Sequence, residues 1–135
     1  MSEEKDIRWK QRFENFEKAF LLLECAIHID NPSEVERAGL IQFFEMTFEL
    51  GWKMMKDYLE AQGFLVKTPR ETIKQAFQIE LIDDGQTWLL ALEDRNLTTH
   101  TYDEETAIQI EKLIREKYFP VMKDLYDRLK AEVQS

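Results

Sequence analysis

The chain has 135 residues, a net charge of −9, 33% charged and 44% hydrophobic side chains. That length supports one domain with a real core, and the acidity argues against sequence-blind binding to nucleic acid, which needs a basic surface. With 4 glycines and 3 prolines, long helices are favoured over a turn-rich β fold. No apolar run reaches membrane-spanning length and the first residues are charged rather than signal-like, so the expected location is the cytoplasm, without membrane contact.

Residues 7–29 predict a first helix. Trp9, Phe13, Phe16, Phe20, Leu23 and Ile27 recur every three or four positions and form one stripe. Cys25 lies in an apolar run here and is expected to be a buried small hydrophobe. It has no second cysteine to pair with, and no Cys/His cluster has metal-ligand spacing, so no metal is expected. His28 reads as a capping or surface residue. Asn31-Pro32-Ser33 breaks the helix, and Ser33 with Glu36 makes a capping box for the next one.

The second helix runs to about Gln62 and stops at Gly63. Its apolar band is wide: Leu40, Phe43, Phe44, Phe48, Leu50, Trp52, Met54, Met55, Tyr58 and Leu59. Burial on more than one side makes it the central helix. Gly51 permits close approach of a neighbour. Glu45, Glu49 and Lys53 form an i, i+4 polar row, read as a solvated face or as the lining of a polar groove.

Thr68-Pro69-Arg70-Glu71 opens a third helix, with Thr68 as N-cap and Pro69 at the first position. Ile73, Ala76, Phe77 and Leu81 follow at helical spacing, and Asp83-Asp84-Gly85 closes it. A fourth helix starts near Gln86, carries Trp88, Leu89, Leu92 and Arg95, and fades around Thr98. Asp103-Glu104-Glu105-Thr106 starts a fifth, whose stripe runs from Ile110 to Leu129 through Pro120. A proline there removes one backbone bond and predicts a bend near Lys117. The fold class expected is all-α: residues 1–135 form a single up-and-down four-helix bundle core with one additional short helix, the last helix kinked at Pro120.

The joint between the fourth and fifth helices, Asp94 to Tyr102, concentrates the chemistry. Arg95 is a permanently charged fork matched to phosphate oxygens. His100 can move a proton near neutral pH. Tyr102 offers a hydroxyl. Five residues of helix turn about 500°, which leaves Arg95 and His100 on different faces of any continuous helix. To meet on one phosphate, they need the helix to end between them or a second copy of the chain. The bland alternative is that Arg95 and His100 cap a helix end.

These segments resemble a known family. Phe44-Glu45-Met46-Thr47-Phe48-Glu49-Leu50-Gly51-Trp52-Lys53, Thr68-Pro69-Arg70-Glu71 and Asp94-Arg95-Asn96-Leu97-Thr98-Thr99-His100-Thr101-Tyr102-Asp103 look, in order, like the signatures of the nucleotidyltransferase substrate-binding proteins, a branch of the HEPN helical domains. The resemblance implies a four-helix bundle, a homodimer, and a minimal nucleotidyltransferase as partner in a toxin–antitoxin type system. It implies a substrate-binding set of Arg95, Asn96, His100 and Tyr102 for a nucleotide or RNA. In the related HepT toxins, the arginine and histidine belong to a metal-independent ribonuclease site, so the resemblance implies Arg95 and His100 as the catalytic pair should this chain be the ribonuclease. Tyr102 matches the tyrosine that the partner adenylylates. ATP would be the partner's substrate, and no cofactor is expected on this chain. Two readings follow: a binding subunit that presents a nucleotide to the transferase, and a ribonuclease.

Overall fold

The computed structural model describes residues 3–96 and 102–135, and among these it is helical without strands. α1 (Glu3–Ile27) and α2 (Glu34–Ala61) are the long helices. Two shorter ones follow, α3 (Pro69–Gln78) and α4 (Gly85–Arg95). α5 (Glu104–Leu113) passes through a π-helical turn (Ile114–Tyr118) into α6 (Phe119–Gln134). This is the expected all-α bundle.

The predicted starts of α2 and α3 and the stop of α2 are met by local chemistry. Ser33 and Glu36 form the capping box of α2, with Glu36 N donating to Ser33 Oγ at 3.1 Å and Ser33 N to Glu36 Oε1 at 2.8 Å. Each bond satisfies a backbone donor that the helix itself cannot. Thr68 caps α3 in the same way, accepting from Glu71 N at 3.1 Å. Gly63 takes φ +96° directly after α2, a conformation that favours glycine.

The core forms around α2. Phe16, Leu23, Phe44, Phe48, Met54, Met55 and Leu59 are fully buried, and each large apolar side chain so placed contributes about 1.5–3 kcal/mol. Gly51 is the crossing point: a Cβ there would stand 3.1 Å from Phe16 Cε1 and 3.8 Å from Trp88 Cη2. Its missing side chain is what lets α1 and α4 close on the same turn of α2.

Two expectations need correction, and a third takes a specific form. α3 ends at Gln78, not at Asp83, because Glu80 turns into the left-handed region at φ +63°. Arg128 holds that turn by donating to the Leu81 carbonyl at 2.7 Å and to the Glu80 carbonyl. Phe77, expected on the inner stripe, is half-exposed near the end of the helix. Cys25 is exposed: it lies two residues from the inward Leu23, about 200° around the helix, so its apolar sequence neighbours are not its spatial ones. The bend expected near Lys117 takes the form of the π turn, in which Phe119 N donates to the Ile114 carbonyl. Widening the helix just before Pro120 accommodates a residue that has no N–H to give and whose ring crowds the preceding turn.

Candidate functional site

α4 ends at Arg95, with Asn96 as its C-cap. Two contacts fix that end to the rest of the bundle. Tyr118, in the π turn, donates its hydroxyl to Asp94 Oδ2, and its ring stacks on Phe44 with centroids 5.5 Å apart. Burial, then the Asp94 carboxylate, push the Tyr118 phenol far up, so it stays protonated and remains a donor. Arg95 reaches across to α2. Its Nη1 donates to Glu49 Oε2, and its Cζ lies 5.8 Å from the centre of the Phe48 ring. Glu49 in turn holds Lys53, with Nζ 3.4 Å from Oε1. The polar row of α2 is therefore tied to the end of α4.

Tyr102 lies on the far side of the joint, 86% exposed. Together with Glu34, Val35, Ala38, Ile41, Glu104 and Ala107 it lines a groove of about 250 Å³ between the first turns of α2 and α5. Arg37 ties these two turns together. It donates to Glu104, and through Nε to Glu111 Oε1 at 2.6 Å. Glu111 is 9% exposed and also accepts from Arg115 Nε at 2.7 Å. Burial pushes the Glu111 carboxyl up, but the two guanidinium groups outweigh it and hold the carboxyl below its ordinary value. Arg115 completes the junction by donating to the carbonyls of Ile27, the last residue of α1, at 2.5 Å, and of Ile29 just beyond it, at 3.0 Å.

Of the predicted site residues, Arg95 thus sits against the middle of α2 and Tyr102 against its beginning. Glu49 and Ile41 are eight residues apart, roughly 12 Å along the helix. Asn96 is exposed at the end of α4. His100 lies outside the described residues. His28 is exposed in the turn after α1. Among the described residues, no group of three or more His, Cys, Asp and Glu side chains is arranged to hold a metal ion, and no helix is long and apolar enough to cross a membrane.

Sequence reasoning does not reach the pairing of Glu49 with Arg95 or of Tyr118 with Asp94. The i, i+4 row Glu45–Glu49–Lys53 is the available signal for the first. For the second there is only an aromatic on an apolar stripe, and nothing in that pattern says where a hydroxyl will point.

Comparison with known proteins places this geometry in context. Residues 11–131 match a family model described as nucleotidyltransferase substrate binding protein like. A Haemophilus influenzae protein, whose structure was described as the fold of a substrate binding domain of a nucleotidyltransferase, is similar with a TM-score of 0.79 and 28% identity, over 87% of this chain and 98% of that one. A Thermus thermophilus protein is similar with a TM-score of 0.75 and 32% identity, over 89% of this chain and 99% of that one. A Haemophilus influenzae protein named probable ribonuclease HepT is 36% identical over 83 residues, and the matched part spans about half of that relative, 53% of its length.

Proposed function

The chain belongs to the nucleotidyltransferase substrate binding protein like family, and from that membership we propose that it is the nucleotide- or substrate-binding HEPN subunit of a two-component system completed by a minimal nucleotidyltransferase. In this reading the system is of toxin–antitoxin type, acts in the cytoplasm and uses a homodimer of this chain. Arg95, Asn96 and His100 hold a phosphate of the nucleotide or substrate and present it to the partner's active site. ATP is consumed by the partner, and this chain needs no cofactor of its own.

The observation that carries the reading is the family match over residues 11–131, taken with a partly exposed guanidinium at the end of α4. Arginine matches phosphate oxygens with a planar fork that stays charged at any physiological pH. The acidic surface suits a small phosphate ligand better than a long RNA track. Tyr102 is the target of adenylylation in this reading, and its exposure suits attack by a second protein. Its phenol oxygen would bond to the α-phosphorus of ATP as the bond to pyrophosphate breaks, with the phenol proton passing to a base on the partner.

A second reading is supported by the similarity to the probable ribonuclease HepT. There Arg95 offsets the charge that develops on the scissile phosphate, and His100 moves protons to or from the RNA 2′-hydroxyl or the leaving oxygen. An adenylate on Tyr102 would then add negative charge close to His100 in sequence and oppose RNA binding. Purified chain incubated with single-stranded RNA in a chelator separates the two. Cleavage that disappears in His100→Ala supports the ribonuclease. No cleavage, with nucleotide binding lost in Arg95→Ala, supports the binding subunit. Nucleotide binding and RNA cleavage both undiminished in an Arg95→Ala, His100→Ala double variant would contradict both.

A further inference from the structure

The middle of α2 carries a charged cluster that the proposed function leaves without a role. Glu49 divides its carboxylate between two cations: Oε2 accepts from Arg95 Nη1, and Oε1 stands 3.4 Å from Lys53 Nζ. One residue earlier, Phe48 is fully buried and lies under the same guanidinium. Arg95 is the last residue of a helix, where a long side chain ordinarily keeps much of its freedom. Here it is tied instead to α2, the helix around which the core forms.

Stability does not account for this arrangement. The Arg95 and Glu49 side chains are 28% and 37% exposed, and Lys53 is 42% exposed. Ion pairs this wet contribute little to folding. What the contacts do alter is geometry. Binding a phosphate with an unrestrained arginine costs the freedom of its rotatable bonds, and holding the group beforehand removes that cost. The carboxylate does not turn the cluster against an anion, because Arg95 and Lys53 leave these three groups with net positive charge.

Resting on the phosphate-site reading above, we infer that Glu49 is a positioning residue for Arg95, fixing the guanidinium in the orientation in which it meets a phosphoryl group. Lys53, through Glu49, and the Phe48 ring contribute to the hold. The role falls to the carboxylate: a neutral amide at position 49 can still accept a hydrogen bond, but it is a weaker anchor for a cation.

A double-mutant cycle on the full chain tests this, with AMP as the probe and binding followed by calorimetry. Glu49→Ala is expected to weaken AMP about tenfold through misplacement of the cation, and Glu49→Gln to fall between it and the unaltered chain. In an Arg95→Ala background, Glu49→Ala should change nothing, so that the coupling equals the whole single-variant effect. A contribution that persists without Arg95 overturns the inference. So does AMP binding by Glu49→Ala that equals or exceeds that of the unaltered chain, since the carboxylate would then compete with phosphate rather than aim its ligand. If Arg95→Ala binds AMP as well as the unaltered chain, or that chain does not bind AMP, the phosphate reading falls and takes the inference with it. If Arg95→Ala weakens binding and Glu49→Ala does not, the inference alone falls. Melting temperatures of all variants verify the fold, and Glu49→Gln, close in shape, carries the cycle should the alanine variant be unfolded.

Discussion

Replacing Glu111 with alanine removes the carboxylate at the centre of the junction that joins the end of α1, the first turns of α2 and the start of α5. Both of its oxygens are used, one by Arg37 at 2.6 Å and one by Arg115 at 2.7 Å. Breaking a buried charge pair by deleting one member costs about 3–5 kcal/mol, because the surviving charge is left without compensation. The guanidinium groups are only partly stranded here. Arg37 keeps Glu104, and Arg115 keeps the carbonyls of Ile27 and Ile29. The Arg115 side chain is also 26% exposed and can recover some hydration. The expected loss is therefore about 2–3 kcal/mol. For a chain of this length that lowers the melting temperature by roughly 7–11 °C. Urea titration should show a lower midpoint with an unchanged slope. Glu111→Gln, which keeps an acceptor of nearly the same shape, should lose less than the alanine variant. A Glu111→Ala variant within about 0.5 kcal/mol of the original, the range of ordinary surface substitutions, would refute the assignment of this junction as a structural clasp.

Three further outcomes follow from the structure. Gly51→Ala sets a gain of about 0.5–1 kcal/mol in helix propensity against overpacking of a fully buried Phe16 at 3.1 Å; with overpacking costing about 1–3 kcal/mol, a net destabilisation is expected in urea titration, and a more stable variant would contradict the close crossing of α1 and α2. Tyr118→Phe deletes the hydroxyl that holds Asp94 and should cost about 1 kcal/mol, with larger hydrogen-exchange rates at the end of α4 than in α1. The carboxyls of Glu17, Asp84 and Glu111 are held below their ordinary values, Glu17 chiefly by Lys130, Asp84 by Thr87, and Glu111 by Arg37 and Arg115 against its own burial. Their contribution to stability is then fully present above the unfolded values, 4.5 for the glutamates and 3.8 for the aspartate, and is lost as pH falls through the depressed folded values. Melting temperature against pH should stay level down to about 4.5 and fall below it; a fall that begins near neutrality would implicate other groups.

Much of this architecture is legible in the sequence because helices announce themselves locally. The stripe from Trp9 to Ile27, the Ser33/Glu36 and Thr68/Glu71 caps and the stop at Gly63 all depend on residues within one or two turns of each other. Gly51 is readable as a place of close approach, though not that Phe16 and Trp88 are what approach. The end of α3 is not readable, since Asp83-Asp84-Gly85 is a stronger turn signal than a glutamate that the tertiary fold drives to positive φ. Pro120 marks a disturbance of the helix, but a bend and a π turn are two answers to the same missing N–H. At the site, the residue types are legible and their partners are not. Arg95 and Glu49 are 46 positions apart, and only the packing of α4 on α2 brings them together. Tyr102 stands near Arg95 in sequence, yet its described neighbours are the opening turns of α2 and α5.

In the proposed function, a phosphate-bearing ligand is held by residues where α4 gives way to α5. Titrating the isotopically labelled full chain with ATP while recording backbone and arginine side-chain correlation spectra addresses it directly. The largest shifts are expected at Arg95, Asn96, His100 and Tyr102, with the Glu49 amide moving along with them. Shifts gathered elsewhere, for example in the apolar groove between α3 and α4 beside Phe77 and Leu89, with the signals from Arg95 to Tyr102 unmoved, would contradict it.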